Sequence, residues 1–161
     1  MNIQLDLILP PIIVGILIVL IIRVQTSMMD NQVESRLFYE LQSKANSCLL
    51  VIQQEIRDVK SIIEVTDLML NYVSVDSDTI QIYRSGQNLT IHRISGVDAT
   101  VESISHPLQL LNLEYSWSDP ANGILRISVE TASNEEDEVG TKTQRYRAFA
   151  EKEFFLKNLT L

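Results

Sequence analysis

The pattern of hydrophobic and polar residues changes twice along this chain, and the first stretch predicts a membrane helix. From Leu7 to Ile22 no side chain is polar, and this run covers about 24 Å at about 1.5 Å per helical residue. The hydrocarbon core of a bilayer is about 30 Å thick, and extending the helix to Met1 and Gln25 covers it. Residues 1–25 are therefore predicted to form a transmembrane helix.

After this span the apolar residues recur at intervals of three or four, which is typical of one face of an α-helix. They are Val33, Leu37, Leu41, Ala45, Cys48, Ile52, Ile56, Val59 and Ile63. No Gly or Pro interrupts the pattern, so residues 26–66 are predicted to continue the long helix. The segment from Leu49 to Ile52 is apolar all round, and we expect it to be covered on more than one side.

The remaining residues alternate apolar and polar side chains in short segments separated by turn residues, a pattern typical of antiparallel strands. The predicted strands are 70–75, 79–84, 88–95, 111–118, 124–132 and 144–159. Each strand then has one apolar face that needs a cover, and the helix stripe is the large surface available. We predict an α+β fold in which an antiparallel β-meander, residues 67–161, packs on the helix at 30–66.

Pro10 and Pro11 lie inside the predicted span, although proline in a helix interior removes a backbone donor and clashes with the preceding turn. In one interpretation the regular helix begins at the proline pair, where the missing N–H would have no partner anyway. In the other, which we favour, a kinked helix begins near Asn2 and a neighbouring subunit covers the freed carbonyls.

The segments Asn2-Ile3-Gln4-Leu5-Asp6-Leu7 and Ile12-Ile13-Val14-Gly15-Ile16-Leu17 resemble the N-terminal helix of type IV pilins and of type II secretion pseudopilins. On this overlay Asp6 corresponds to the family's glutamate and Gly15 to its glycine. The order of elements also resembles the minor pseudopilins, with Ile82-Tyr83-Arg84-Ser85-Gly86-Gln87-Asn88-Leu89 in the place of a family hairpin. The family's basic leader and Gly-Phe processing site are absent, so we expect no ordinary prepilin processing. The start also lacks the basic n-region and small-x-small cleavage site of a secretory signal peptide, so we expect the anchor to be retained.

This resemblance implies a pilin-like architecture and a soluble domain outside the cytoplasm. It also implies that Asp6 pairs with the N-terminal amine of an adjacent subunit. From the residues alone, the alternative is an Asp at the membrane interface near the positive end of the helix dipole. The count of basic residues near the span instead places the large domain in the cytoplasm, because Arg23 and Arg36 follow the span and no basic residue precedes it. That bias rests on two residues, and we follow the resemblance.

The charge and the scattered polar residues exclude several classes of function. The net charge of -8 falls after the anchor, because Asp6 and Arg23 cancel, and an acidic domain repels nucleic acid. His92 and His106 lack the spacing of metal ligands, and we expect no catalytic residues, no metal site and no cofactor. Further predictions concern residues 76–78 as a turn, the acidic run 134–138 as a solvated loop, and Cys48 as a buried thiol.

The patterns predict a non-enzymatic, single-pass membrane protein, and the resemblance implies a structural subunit of a pilus-like, secretion or other membrane-associated assembly. The expected partners are the lipid bilayer and other helical membrane subunits, like or unlike copies, with no small-molecule substrate. The candidate assembly residues are Asp6, Pro10, Pro11 and Gly15. Two alternatives stay open: a membrane-anchored sensor or ligand-binding module, and a structural membrane protein of a membrane-containing virion.

Overall fold

The helix and strands that follow are those of a computed structural model, which describes residues 3–133, 138–139, 142–143 and 146–156. For residues 3–9, 138–139 and 142–143 the description covers the backbone alone. Helix α1 spans Ile3–Glu55 and continues into one 3-10 turn, Ile56–Asp58. The strands are β1 (Val59–Thr66), β2 (Met69–Ser74), β3 (Thr79–Ser85), β4 (Asn88–Ile94), β5 (Val101–Pro107), β6 (Leu110–Asp119), β7 (Ile124–Ala132), β8 (Glu138–Val139), β9 (Lys142–Thr143) and β10 (Arg147–Phe155).

These strands form two larger antiparallel sheets and one short hairpin. Strands β1 to β5 make a meander in which each strand pairs with the next, β7 lies between β6 and β10, and β8 pairs with β9. Strand β6 passes the hairpin ends of the meander, where the N–H of Leu110 donates to the Gln87 carbonyl and that of Tyr115 to the Asp67 carbonyl. The predicted α+β fold, a long helix with an antiparallel meander, is confirmed.

The hydrophobic core lies where α1 meets both sheets. From α1 it contains Ala45, Cys48, Leu49 and Ile52, and from the sheets Leu70, Tyr72, Ile80, Ile82, Leu89, Ile91, Leu113, Tyr115, Leu125, Ile127 and Val129. The helix lies directly against β7 and β10, and the small Ala148 and Ala150 of β10 face inward there. The apolar faces of the two sheets are therefore buried against α1 and against each other, whereas the sequence analysis assigned this role to the helix alone.

The predicted continuation of the helix to residue 66 is wrong, because α1 ends at Glu55 and residues 59–66 form strand β1. Two register shifts interrupt the pairing of β1 with β2, one between Val59 and Ser61 and one between Ile62 and Glu64. An extra residue in one strand displaces the side-chain alternation that follows it. The apolar spacing of β1 therefore imitates the three-four spacing of a helix.

Five predicted strands match β2, β3, β4, β6 and β7 to within one residue at each end, and β10 lies inside the predicted range 144–159. Strand β5 was not predicted. It is an edge strand, and six of its seven residues are exposed. Because almost none of its side chains enter the core, the sequence of β5 lacks the apolar alternation by which strands are recognised.

Helix α1 runs through Pro10 and Pro11 and begins at Ile3. The interpretation in which the helix begins at the proline pair is therefore wrong, and a start close to Asn2 is confirmed. A proline at position i leaves the carbonyl of residue i−4 without its helical donor, so the affected carbonyls belong to residues 6 and 7. Their cover by a neighbouring subunit stays a prediction.

Candidate functional site

Residues 10–22 of α1 form an apolar surface that the rest of the described chain leaves uncovered. Its most apolar 18-residue window has a mean hydropathy of 2.3, and none of that window is buried. The large side chains from Ile12 to Ile22 are each 49% to 61% exposed. Within the described residues, α1 is the helix that is long and apolar enough to cross a membrane.

A bare helical segment separates this apolar surface from the β-domain. The predicted packing from residue 30 is wrong for this segment, because Val33 is 46% exposed and Leu41 is the first buried residue among the described side chains of α1. The face that packs on the sheets continues upstream through Phe38, Glu34 and Ser27. Since that continuation is largely polar, it offers the sheets little apolar area to bury. Leu37 is half-buried against Leu41, Tyr146 and Ala148, and residues 23–36, of which Asp30 is half-buried, are otherwise exposed over about 21 Å.

The four candidate assembly residues all lie on α1, but they do not converge on one face. Positions 6 and 15 are nine residues apart, which at about 100° per residue places them on opposite sides of the helix. Position 10 lies near the side of position 6. Around Gly15 an added Cβ would have no atom within 4 Å, so this chain itself imposes no steric need for glycine there.

One exposed stripe along the second half of α1 carries no charged residue, and the sequence analysis missed it. Its members fall within about 80° of one another around the helix axis, and we call them the uncharged stripe: Met28, Gln32, Ser35, Tyr39, Ser43, Asn46, Leu50 and Gln53. The signal was the absence of charge at helical spacing, which a search for apolar positions does not detect.

Charged residues occupy other faces of the same segment. Between positions 23 and 55 they are Arg23, Asp30, Glu34, Arg36, Glu40, Lys44 and Glu55, of which Arg36 borders the uncharged stripe. Lys44 Nζ lies 2.6 Å from Glu40 Oε1, and this hydrogen bond lowers the pKa of the Glu40 carboxyl. Residues 49–52 are covered on more than one side, as expected, because Leu49 and Ile52 are buried and Val51 is half-buried, whereas Leu50 is 57% exposed.

A groove of about 590 Å³ opens where the end of α1 meets the end of β10. Its lining combines apolar and charged side chains: Leu50, Gln53, Gln54, Ile56, Arg57, Val59, Lys152, Glu153, Phe154, Phe155 and Leu156. Lys152 Nζ donates a 2.8 Å hydrogen bond to Gln53 Oε1 across it. These described lining residues include no Ser, Thr, Cys, Tyr or His.

The remaining candidate residues have ordinary structural partners. His92 Nε2 lies 3.1 Å from the Tyr83 hydroxyl, and His106 belongs to edge strand β5. In the predicted turn at 76–78, the Asp78 carboxylate accepts a hydrogen bond from the N–H of Gly96. No group of three His, Cys, Asp or Glu able to hold a metal ion occurs within the described residues.

Cys48 is fully buried, which confirms the predicted buried thiol. Burial raises the pKa of the Cys48 thiol to about 12, so the group is protonated at neutral pH and is a poor nucleophile.

Of the acidic run, residues 134–137 lie outside the described residues, and only the backbone of Glu138 is described. The predicted solvated loop is therefore not tested.

No protein-family model matches this chain, and no curated protein or solved structure is significantly similar to it. The resemblance to pilins and pseudopilins therefore rests on the residues of the chain itself.

Proposed function

We propose that this chain is a non-enzymatic, single-pass structural subunit of a membrane-associated assembly. One observation carries the proposal: a single helix of 53 residues is bare and apolar in its first half and forms part of the core of the β-domain in its second half. Because the helix is continuous, the bilayer anchor and the displayed domain form one mechanical unit.

The assembly partners are other membrane helices, as in a pilus-like filament, a secretion complex or the membrane of a virion. Positions 6 and 15 lie on opposite sides of α1, and a subunit packed among several neighbours uses both sides. Carbonyls freed by Pro10 and Pro11 need partners in lipid, and a neighbouring helix supplies them more readily than hydrocarbon does. The pilin resemblance adds the pairing of Asp6 with a neighbour's N-terminal amine.

Membrane anchoring is tested with the full chain, by washing membranes with alkaline carbonate. We expect the chain to stay in the membrane pellet, and the double variant Ile16→Lys/Val19→Lys to be released because charges at the bilayer centre are costly. The matched control is Met29→Lys, whose wild-type side chain is 66% exposed beyond the apolar run. Release of the wild-type chain by carbonate contradicts the proposal.

The role of Asp6 is tested by capture of a tagged copy from detergent extracts. Asp6→Ala is expected to reduce the co-captured untagged copies or partner subunits, while Asp6→Glu keeps the negative charge and the capture. Unchanged capture with Asp6→Ala removes the pairing of Asp6 but leaves the anchor intact.

The soluble domain is proposed to lie outside the cytoplasm, as the resemblance implies. A cysteine at Val33, a residue 46% exposed and off the uncharged stripe, reports the side of the membrane. On intact cells a membrane-impermeant maleimide is expected to label Val33→Cys. Labelling only after the cells are opened places the domain in the cytoplasm instead.

A further inference from the structure

The uncharged stripe of α1 is exposed along its whole length, although the chain has a net charge of -8 and seven charged residues between positions 23 and 55. The stripe runs from Met28 to Gln53, about 37 Å. Its centre lies about 120° around the helix from the residues packed on the sheets. Most of the stripe is therefore not occupied by the described part of the β-domain, which reaches it at Gln53, where Lys152 Nζ donates a hydrogen bond to Gln53 Oε1.

Three large side chains form a line along this stripe. Met28, Tyr39 and Leu50 follow one another at intervals of 11 residues, close to three full turns, and are 58%, 71% and 57% exposed. Leu50 also belongs to the segment that is apolar all round. These three side chains therefore expose surface that a second molecule could bury.

We propose that the uncharged stripe is the contact with a second copy of this chain, parallel and in register in the same bilayer. This inference rests on the proposed function, because a common anchor is what makes the two helices parallel. Two identical chains inserted in the same direction and in register, each using the same face, are related by a two-fold axis along the membrane normal. Near that axis each residue of the stripe meets its own counterpart.

This symmetry determines which side chains are allowed at the contact. A charged residue on the axis faces an identical charge, which destabilises the pair. The amides of Gln32 and Asn46 and the hydroxyls of Ser35 and Tyr39 each carry a donor and an acceptor, so each can hydrogen-bond to its own copy. The uncharged stripe is therefore self-complementary, whereas the faces that carry Glu34, Glu40 and Lys44 are not.

The apolar span continues the same face into the membrane through Val14, Leu17 and Ile21. A contact between two single helices buries little surface and is weak in solution. Anchoring both copies in one bilayer raises their effective concentration, so a weak contact is enough to hold the pair.

Disulfide cross-linking of the full chain in native membranes tests the proposal. Ser35→Cys and Asn46→Cys are expected to form covalent dimers of twice the 18.3 kDa chain mass on mild oxidation. The matched control is Val33→Cys, which is also exposed but lies about 120° away around the helix. The wild-type chain is a second control, because its only cysteine is buried.

Absence of dimers at Ser35→Cys and Asn46→Cys in carbonate-resistant membranes overturns this inference but not the proposed function. Equally strong cross-linking of Val33→Cys also overturns it. Cross-links formed only between different positions, as in cells that express Ser35→Cys together with Leu50→Cys, indicate a staggered contact and exclude the in-register pair. Loss of the chain from the membrane fraction is instead a failure of the proposed function.

A charge placed on the stripe gives an independent readout. Tyr39→Glu is expected to reduce cross-linking at Asn46→Cys about tenfold, because two carboxylates then face each other. Val33→Glu adds the same charge off the stripe and is expected to leave cross-linking unchanged. Co-expression of Tyr39→Glu with Tyr39→Lys chains, both carrying Asn46→Cys, is expected to restore it, and an unchanged yield in Tyr39→Glu contradicts the proposal.

Discussion

The hydroxyl of Tyr72 in β2 donates a 2.8 Å hydrogen bond to the backbone carbonyl of Glu55, the last residue of α1. The final carbonyls of a helix have no partner within it, and here a fully buried side chain from the sheet supplies one. Arg93 of β4 adds an ion pair to the Glu55 side chain at 3.2 Å. Residues far along the chain therefore stabilise the end of the helix.

Replacing Tyr72 by Phe is expected to destabilise the protein. The variant keeps the ring in the core but leaves a helix carbonyl without its donor, a loss of about 1 kcal/mol. Thermal unfolding of the detergent-solubilised full chain, followed by circular dichroism, measures the effect. A melting temperature equal to that of the wild type shows that the Tyr72 hydroxyl contributes nothing to the stability of the helix end.

Replacing Tyr115 by Phe is expected to have the opposite result. The Tyr115 side chain is 1% exposed, and its hydroxyl has no hydrogen-bond partner among the described residues. Removing a buried polar group without a partner is neutral or stabilises by up to about 1 kcal/mol. The same thermal unfolding compares the two variants, and an equal loss in both shows that the Tyr115 hydroxyl has a partner in solution.

The stability of the protein is expected to fall as the pH rises above about 9. Burial raises the pKa of Cys48 from 9.0 to about 12, so the folded chain holds this proton more tightly than the unfolded chain does. The stabilisation is complete below pH 9 and is lost between about pH 9 and 12, by at most about 1.4 kcal/mol per pH unit.

Chemical unfolding at a series of pH values measures this slope, which is expected to be smaller in Cys48→Ala. Part of the slope remains in that variant, because burial also raises the pKa values of Tyr72 and Tyr115. Iodoacetamide at pH 8 is expected to alkylate Cys48 only in the unfolded chain. Rapid alkylation of the folded protein contradicts both expectations.

Replacing Gly96 by Ala is expected to destabilise the meander by about 1–3 kcal/mol. A Cβ at this position overlaps the backbone carbonyl of Ser77, where the loop after β4 crosses the turn after β2. Moving the backbone at residue 96 to relieve this overlap would also strain the hydrogen bond from the Gly96 N–H to Asp78. Thermal unfolding measures the loss.

The matched control for Gly96 is Gly86→Asn in the β3–β4 turn. Gly86 has a φ of +62° and open space around it, and asparagine adopts this backbone conformation more readily than most residues do. We expect a change within about 0.5 kcal/mol. A loss in Gly86→Asn as large as that in Gly96→Ala shows that the overlap with Ser77 is not the cause.

Local pattern was enough to predict the long helix and most of the strands. Strand β7 has the predicted bounds, because Leu125, Ile127 and Val129 alternate strictly and are fully buried. The end of α1 was not predicted, since no Gly or Pro stops it and its cap comes from Tyr72, 17 residues later. Such a contact depends on the folded chain and leaves no local signal.

The candidate site was predicted only in part. The apolar run identified the exposed span. Periodicity did not indicate that the core face becomes polar upstream of Phe38, and this change leaves the turns of α1 that precede Phe38 exposed. The absence of charge on the uncharged stripe can be read from the sequence at helical spacing. Which side chains of the stripe remain exposed once the sheets have packed requires the fold.

Because a long exposed segment of α1 separates the apolar span from the β-domain, a tilt of the helix displaces the β-domain sideways. About 44 Å of continuous helix separate Arg23 from Ile52 in the core, and membrane helices are tilted by about 20° on average. A tilt of that size carries the β-domain sideways by about 15 Å, more than the spacing of two packed helices. The thickness of the surrounding bilayer, by setting the tilt of the span, would therefore adjust where the β-domain stands.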